Sequence, residues 1–281
     1  MMTATATETY QDTNARALYL DLMKKCLSNT IYGEVENVPL QPNTFLKRKL
    51  VEFFGTFKLK ICRQWKMDKE ANEVGKSCSI VAHTMTGNKR LNNLQFCVED
   101  VIVKGVPGDL IETGVWRGGS TIFMRAILKA YGITDRQVWV ADSFQGLPPP
   151  DESKYPADKG DLYHTMDELR VSKEQVAANF EKYGLLDDQV KFLKGWFSET
   201  LPTAPIEKIA VARLDGDMYE STMDALKALY PKLSVGGYMI IDDYGAVPGC
   251  KKAVEDYRAE HNITDEIHVI DWTGVYWQRK S

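Results

Sequence analysis

Four carboxylates in the second half of the chain each follow closely on a short apolar run. They are Asp215, Asp217, Asp242 and Asp243. The preceding runs, Ile209–Leu214 and 238–241, predict buried strands. Adjacent parallel strands bring the acids that follow them to one edge of a sheet, where ligands bind. Converging carboxylates raise one another's pKa, and a divalent cation relieves that repulsion.

A metal site at this edge would have a defined chemistry. Oxygen ligands without a nearby His or Cys favour Mg²⁺ over zinc. The cation could hold a substrate hydroxyl while a neighbouring carboxylate removes its proton. Taken singly, Asp217 also fits a helix cap and Asp242 the end of a strand. As a set, the acids favour the metal site.

A glycine-rich turn at 108–120 predicts the approach of a ligand to a helix N-terminus. The residues of interest in it are Glu112, Thr113, Gly114, Trp116 and either Ser120 or Thr121 as the helix cap. Trp116 occupies the position where a dinucleotide-binding turn requires its second glycine. Glu112 would repel phosphates, but it suits a cationic α-amino group. The turn therefore favours S-adenosylmethionine over NAD, and an ordinary strand-to-helix turn is the alternative.

Two further strand ends fit a nucleoside cofactor. Asp142 follows the apolar run 138–141, where its carboxylate could accept hydrogen bonds from both ribose hydroxyls. Gly195 ends the next predicted strand, and Trp196 and Phe197 after it could form an apolar slot for adenine. Packing in the core or at its rim is the alternative for both aromatic residues, and it is stronger for Phe197.

The alternation of strands and helices after Gly108 predicts an α/β fold with a doubly wound, mostly parallel sheet. The segments 267–270 and 275–278 predict a closing antiparallel pair. The Pro-rich, charged segment 147–170 predicts a lid or substrate loop. We expect residues 1–100 to form a helical cover or lid region and residues 101–281 to form the cofactor-binding catalytic domain.

The N-terminal region has its own pattern. Helical periodicity covers 12–32, loop residues dominate 33–46, and a helix is predicted at 88–104. The segment 45–66 is rich in Lys, Phe and Leu and predicts a basic helix. It could bind a membrane surface or a partner, but an amphipathic cover for the main domain is the favoured interpretation.

Composition excludes several classes of protein. The net charge is −4, which gives no large basic field for nucleic acid. No apolar run is long enough to span a bilayer, and the N-terminus lacks a signal-peptide pattern. Five scattered cysteines indicate reduced thiols. We therefore expect a cytoplasmic protein that binds neither nucleic acid nor membranes.

Four segments of the chain resemble the macrocin O-methyltransferase family, the sugar O-methyltransferases of macrolide and aminocoumarin biosynthesis. They are 112–119, 139–146, 215–219 and 241–244, and the likeness extends from about Ala82 to Arg279. The resemblance implies a class I methyltransferase (Rossmann-like) fold that uses S-adenosylmethionine and Mg²⁺. It also implies a homodimer that methylates a sugar hydroxyl on a glycosylated natural product.

The resemblance also implies roles for particular residues. Asp215, Asp242 and Asp243 would hold the metal and Asp217 would be the general base, although Asp215 and Asp217 could exchange these roles. Glu112 would bind the methionine part of the cofactor, Asp142 the ribose with Ser143 beside it, and Met85 would contact both cofactor and substrate. Together with the residues of the glycine turn and of the adenine slot, the full set of expected cofactor-binding positions is Met85, Glu112, Thr113, Gly114, Ser120, Asp142, Ser143, Gly195, Trp196 and Phe197. The segment 43–77 is longer and more basic than the family pattern.

Two other functions remain alternatives. A metal-dependent methyltransferase of a catechol-type or polyketide hydroxyl would need the same acids, so only acceptor assays separate it. A nucleoside-binding protein without catalysis would have no use for a metal site together with a base.

Overall fold

The computed structural model describes residues 4–32 and 35–281, with side chains from Asn14 onward. The helices are α1 (Ala4–Leu27), α2 (Phe45–Thr56), α3 (Lys69–Glu73), α4 (Asn88–Val103), α5 (Gly119–Ala130), α6 (Lys173–Lys182), α7 (Phe197–Thr200), α8 (Tyr219–Leu229) and α9 (Pro248–Glu260). The strands are β1 (Val35–Pro39), β2 (Cys62–Lys66), β3 (Asp109–Thr113), β4 (Val138–Asp142), β5 (Val190–Lys194), β6 (Ile209–Leu214), β7 (Leu233–Ile241), β8 (His268–Val269) and β9 (Val275–Gln278).

Seven strands form one sheet in the order β5-β4-β3-β6-β7-β9-β8. The pairs among β3 to β7 are parallel, while β9 is antiparallel to both β7 and β8. The predicted α/β fold with its closing antiparallel pair is confirmed. The strand order reverses between β3 and β6, and ligands bind in open α/β sheets at such a switch point.

The sheet has a hydrophobic core on each face because neighbouring strand residues point to opposite sides. Leu110 faces a core shared with α1, α4, α5 and α6, whereas Ile111 faces a core shared with α8 and α9. Helices from both sides of residue 100 contribute to the first core, and the domain division at that residue stays a prediction. The two cores fix the strand ends that carry the predicted site.

The segment 147–170 is a loop, as predicted. It contains only single turns of 3₁₀-helix, at Pro156–Asp158, Tyr163–Thr165 and Asp167–Leu169. Asp158 is buried and anchors the loop. Its two carboxylate oxygens accept hydrogen bonds from the backbone N–H groups of Tyr219 (2.6 Å) and Glu220 (3.0 Å), at the N-terminus of α8. We call residues 147–170 the lid loop.

Three predictions about the N-terminal region are wrong. The predicted loop 33–46 contains β1, although residues 33 and 34 lie outside the described part. The predicted helix 45–66 ends at Thr56; Lys58 then adopts a left-handed φ of 58°, and β2 pairs with β1. The favoured cover for the main domain is also wrong for α2, because none of its residues is buried.

Two findings bear on the predicted class of protein. The described residues include no helix that is both long enough and apolar enough to span a bilayer. All five cysteines are free, and Cys97 and Cys250 are buried.

Candidate active site

The glycine turn after β3 brings two strand ends into close contact. Gly114 has a φ of +81°, and a Cβ there would lie 1.7 Å from the backbone oxygen of Asp215. Only glycine permits that approach. The predicted helix cap is wrong, since Gly118 precedes α5 with a φ of 86° while Ser120 and Thr121 lie inside the helix. The left-handed turn requires glycine at the cap position.

Asp142 fixes the turn from the end of β4. One of its carboxylate oxygens accepts a hydrogen bond from the Val115 backbone N–H (2.8 Å), and the other accepts one from that of Phe144 (2.7 Å). Burial raises the pKa of Asp142, and these backbone hydrogen bonds oppose that shift. Asp142 therefore shapes the turn in addition to facing the adjoining cleft.

A cleft of about 280 Å³ lies outside the carboxyl ends of the strands. It contains most of the predicted cofactor-binding residues, namely Met85, Gly114, Asp142, Ser143, Gly195, Trp196 and Phe197. We call it the nucleoside cleft. Thr113 does not line it and is fully buried in β3, with a hydroxyl that has no partner within the described residues.

A second cleft of about 220 Å³ lies beside the first, and we call it the acidic cleft. Its lining includes the predicted residues Met85, Glu112, Ser120, Asp215, Asp217, Asp242 and Asp243. Met85, Asp215 and Asp217 line both clefts, as does Trp116. The two spaces therefore meet at the carboxylates that the sequence analysis singled out.

The predicted metal ligands do converge. Asp215, Asp242 and Asp243 each place one carboxylate oxygen so that the three oxygens lie within 4.8 Å of one another. This follows from the sheet order, because β6 and β7 are parallel neighbours. Three oxygens in such a group match the ligand set of a hard divalent cation.

Asp217 lies beside this group in a left-handed backbone conformation, with a φ of 58°. Its backbone N–H faces a carboxylate oxygen of Asp243 at 3.3 Å. Burial raises the pKa of Asp217 to about 8, and the nearby carboxylates of Asp215 and Asp242 add to the shift. Asp217 does not cap α8. The first backbone N–H groups of α8, those of Tyr219 and Glu220, donate instead to the Asp158 carboxylate of the lid loop.

Two buried arginines, which the sequence analysis missed, hold the carboxylates in place. The Arg213 guanidinium donates to Glu112, Asp242, Asp215 (2.7 Å) and the Thr86 hydroxyl (2.9 Å). Arg90 donates to the other oxygen of Asp242 and to Asp271 (3.1 Å). An arginine inside the otherwise apolar run Ile209–Leu214 was the available signal, because a buried charge needs partners.

Glu112 pairs with Arg213 in register across β3 and β6. One of its carboxylate oxygens accepts from Arg213, while the other is buried and has no partner among the described residues. Burial raises the pKa of Glu112 to about 8, although the Arg213 charge opposes the shift. An unpaired buried acceptor that faces a cleft suits a cationic donor.

The charges around the acidic cleft do not balance. Two guanidiniums, those of Arg90 and Arg213, face the carboxylates of Glu112, Asp215, Asp217, Asp242, Asp243 and Asp271. Burial and the neighbouring Asp217 and Asp215 raise the pKa of Asp243 well above its ordinary value. The pocket therefore favours cations or protons, as predicted for a metal site.

The lid loop is tied to the glycine turn as well as to α8. The Trp116 indole N–H donates to the backbone oxygen of Glu168 at 2.8 Å. Tyr163 from the same loop lines the acidic cleft, and burial together with the charges of Asp217 and Asp161 raises its pKa. The loop thus contributes to the lining of both clefts, with Leu147, Pro148 and Leu169 at the nucleoside cleft and Tyr163 at the acidic cleft.

Known proteins match both the sequence and the structure. The family model of macrocin O-methyltransferase (TylF) matches residues 16–279. The 8-demethyl-8-(2,3-dimethoxy-alpha-L-rhamnosyl)-tetracenomycin-C 4'-O-methyltransferase of Streptomyces olivaceus is 53% identical over 94% of each chain. The demethyldecarbamoylnovobiocin O-methyltransferase of Streptomyces niveus is 51% identical over 97% of each chain.

Two solved structures also match the chain. The O-methyltransferase NovP has a TM-score of 0.81 and 50% identity, and the match covers 95% of this chain and all of that one. The calicheamicin methyltransferase CalS11 has a TM-score of 0.55 and 20% identity over 86% of this chain and 95% of that one, which shows the fold alone. The chain therefore belongs to the macrocin O-methyltransferase family and is an O-methyltransferase with the class I methyltransferase fold.

Proposed function

We propose that the chain transfers the methyl group of S-adenosylmethionine to a sugar hydroxyl on a glycosylated natural product, with Mg²⁺ bound among the carboxylates. The observation that carries the proposal is the junction of the two clefts at Asp215 and Asp217. A donor in the nucleoside cleft and an acceptor in the acidic cleft would meet at that junction. The names of the relatives support the acceptor class, since one is a rhamnosyl-tetracenomycin 4'-O-methyltransferase.

The nucleoside cleft fits S-adenosylmethionine. Asp142 faces the cleft with acceptor capacity beyond its two backbone hydrogen bonds, and Trp196 and Phe197 supply apolar walls for adenine. Glu112, in the lining of the adjoining acidic cleft, offers its unpaired buried oxygen to the α-amino group of the cofactor. The remaining proposed cofactor contacts are Met85, Thr113, Gly114, Ser120, Ser143 and Gly195. Of these, Thr113 would act only through the packing of β3, because it is buried outside both clefts.

Asp215, Asp242 and Asp243 would hold Mg²⁺. When bound, the cation would supply positive charge that lowers the pKa of a coordinated hydroxyl. Arg90 and Arg213 hold the two oxygens of Asp242 in fixed directions, so this ligand is positioned before the cation arrives. Chelation should abolish methyl transfer and added Mg²⁺ should restore it. Full activity in the presence of a chelator would contradict the proposed metal dependence.

Asp217 would act as the general base. Burial and the Asp242 charge raise the pKa of Asp215, but the Arg213 guanidinium at 2.7 Å opposes that shift. The pKa of Asp217 is raised to about 8, and the charges that add to its burial are those of other carboxylates. Between the two, Asp217 is therefore better suited to take the proton of the acceptor hydroxyl. The protein otherwise aligns the donor and the acceptor and excludes water.

Two measurements test the function. Calorimetry should show that the purified chain binds S-adenosylmethionine, while NAD serves as the control. Incubation with S-adenosylmethionine, Mg²⁺ and glycosylated acceptors should then yield a product that has gained one methyl group, as mass spectrometry would show. A catechol methylated in preference to every glycoside would overturn the acceptor class, and the absence of S-adenosylmethionine binding would overturn the cofactor.

The proposal includes a homodimer, which the family resemblance led us to expect. The exposed apolar surface of the N-terminal region supports it.

A further inference from the structure

Trp272, in the lining of the acidic cleft, takes no part in the mechanism described so far. Of the six tryptophans, all of which lie within the described residues, Trp272 is the exposed one, at 45%. It lies in the turn between β8 and β9 and lines the cleft together with Met85 and Tyr163. A large aromatic side chain that stays exposed in a cleft lined by charged groups offers a contact surface to a ligand.

The turn that carries Trp272 is fastened to the acidic cleft on both sides of this residue. The Asp271 carboxylate accepts hydrogen bonds from the Arg90 side chain (3.1 Å) and from the Thr273 backbone N–H (3.0 Å). The Thr273 hydroxyl donates to the backbone oxygen of Asp242 at 2.9 Å. The position of Trp272 is therefore fixed relative to Asp242, one of the proposed metal ligands.

The indole ring is also held in one orientation. Its N–H donates to the backbone oxygen of Val74 at 2.8 Å, and the Lys76 ammonium lies over the ring at 5.1 Å from its centroid. Val74 and Lys76 belong to the segment that follows α3. The N-terminal region thus fixes the ring while almost half of the residue stays accessible.

The surroundings of the indole match a sugar ring. A pyranose carries C–H groups on its faces and hydroxyls around its rim, so its binding site needs an apolar plane next to polar groups. The indole of Trp272 is such a plane. Carboxylates that can accept hydrogen bonds from hydroxyls, those of Asp242 and Asp243, line the same cleft.

We propose that Trp272 is the platform on which the sugar ring of the acceptor stacks through its C–H groups. The inference rests on the proposed function, because it concerns the acceptor of that reaction. Stacking on Trp272 turns the hydroxyls of the ring towards the carboxylates and excludes sugars that would place a hydroxyl against the indole. Trp272 lies outside the lining of the nucleoside cleft, so donor binding does not depend on it.

Binding of a sugar without turnover tests the platform directly. The probe is methyl α-L-rhamnoside, added at millimolar concentration to the full chain with S-adenosylhomocysteine and Mg²⁺. Saturation-transfer NMR should show contact between the parent chain and the C–H protons of the sugar, and the ring current of the indole should shift those protons upfield. Both effects should be lost in Trp272→Ala and largely kept in Trp272→Phe. The absence of saturation transfer from the parent chain would overturn the proposal.

Kinetics separate stacking from the hydrogen bond to Val74, because Trp272→Phe keeps an aromatic plane but has no indole N–H. Trp272→Ala should lower kcat/KM for a glycosylated acceptor by about tenfold or more, mainly through a higher KM. Trp272→Phe should keep most of the activity, and calorimetry should show unchanged affinity for S-adenosylmethionine in both variants. Equal losses in the two variants would assign the effect to the lost hydrogen bond and overturn the platform.

Trp65→Ala is the matched control. Trp65 lies on β2, is partly exposed and lines neither cleft, so rhamnoside binding and methyl transfer should equal those of the parent. Circular dichroism shows whether each variant is folded. Rhamnoside binding that depends on Trp272, without methyl transfer to any glycoside, contradicts only the proposed function. Methyl transfer to a glycoside by Trp272→Ala with the kcat/KM of the parent contradicts only the platform.

Discussion

At the scale of single residues, the site depends on neighbouring carboxylates whose pKa values are shifted in opposite directions. Asp242 is clamped by two guanidiniums, and its pKa is lowered by the charges of Arg213 and Arg90 despite its burial. Asp217, three residues beyond the end of β6, has its pKa raised to about 8 by burial and by neighbouring acids. Similar side chains can thus divide the work, one as a fixed anion and the other as a proton acceptor.

Replacement of Asp217 by Asn tests this division. Asp217→Asn keeps the shape of the side chain but cannot accept the hydroxyl proton, so kcat should fall by about 10²- to 10⁴-fold. Calorimetry should show nearly unchanged affinity for S-adenosylmethionine. Asp224→Asn is the control, because Asp224 also lines the nucleoside cleft but lies within α8. Turnover by Asp217→Asn equal to that of the parent would exclude Asp217 as the base.

Arg213 should stabilise the fold through its charge. Arg213→Met leaves Glu112, Asp215 and Asp242 without their shared counter-charge and should lower the free energy of unfolding by about 3–5 kcal/mol. Because a divalent cation replaces part of that charge, Mg²⁺ should raise the melting temperature of Arg213→Met more than that of the parent.

Arg125→Met is the matched control for this experiment. Arg125 is also a buried arginine, and it pairs with Asp187 at 2.6 Å, away from the acidic cleft. Its loss should reduce stability without any specific recovery in Mg²⁺. Equal recovery of both variants would contradict a cation site next to Arg213.

At the scale of helices and strands, the sequence predicted what local patterns determine. Apolar runs located the five parallel strands, and the acids that follow β6 and β7 converge as predicted. The arginines were missed because their partners come from distant segments: Arg90 lies on α4 and Arg213 on β6, yet both contact Asp242. Such a contact depends on which distant segments become neighbours in space, and the periodicity of the sequence does not show this.

The segment 45–66 shows a second limit of pattern analysis. The amphipathic residues of 45–66 correctly indicated an apolar helix face, but they did not indicate what that face contacts. The assumption that it covers its own chain led to the wrong prediction, since α2 has no buried residue. Sequence periodicity shows which face of a helix is apolar, but it does not show which surface packs against that face.

The anchor of the lid loop gives a prediction at this scale. Asp158→Asn retains a single carbonyl acceptor for the two backbone N–H groups of Tyr219 and Glu220. Loss of a helix cap costs about 0.5–2 kcal/mol. Because this cap also holds the loop, limited proteolysis should cleave 147–170 several-fold faster, whereas amide exchange in β3 should not change.

Asp151→Asn is the control for the lid loop. Asp151 lies in the same loop, but its exposed carboxylate accepts hydrogen bonds from Ser153 and Lys154 of the loop itself and not from α8. Faster cleavage in both variants to the same extent would show that the bonds to α8 do not hold the loop.

At the scale of the whole molecule, the buried site and the folding equilibrium are linked. Six carboxylates and two arginines from the sheet, α4 and the segment after β8 meet at one edge of the sheet. An excess of buried negative charge opposes folding unless cations or protons are bound. The free energy of unfolding should therefore fall as the pH rises, whereas an ordinary salt-bridged carboxylate makes it rise with pH.

Glu112 provides the test of that link. Its pKa of about 8 in the folded chain exceeds the ordinary value of 4.5, so the folded state binds more protons than the unfolded state between those two values. This contribution is complete below pH 4.5 and is lost as the pH rises towards 8. The melting temperature of the parent, measured without divalent cations, should therefore decline with pH more steeply than that of Glu112→Gln, which cannot titrate. Buffers of constant ionic strength are the control for screening. Parallel curves for the two proteins would show that Glu112 stays ionised in the folded chain, with the Arg213 guanidinium fully offsetting the cost of its burial.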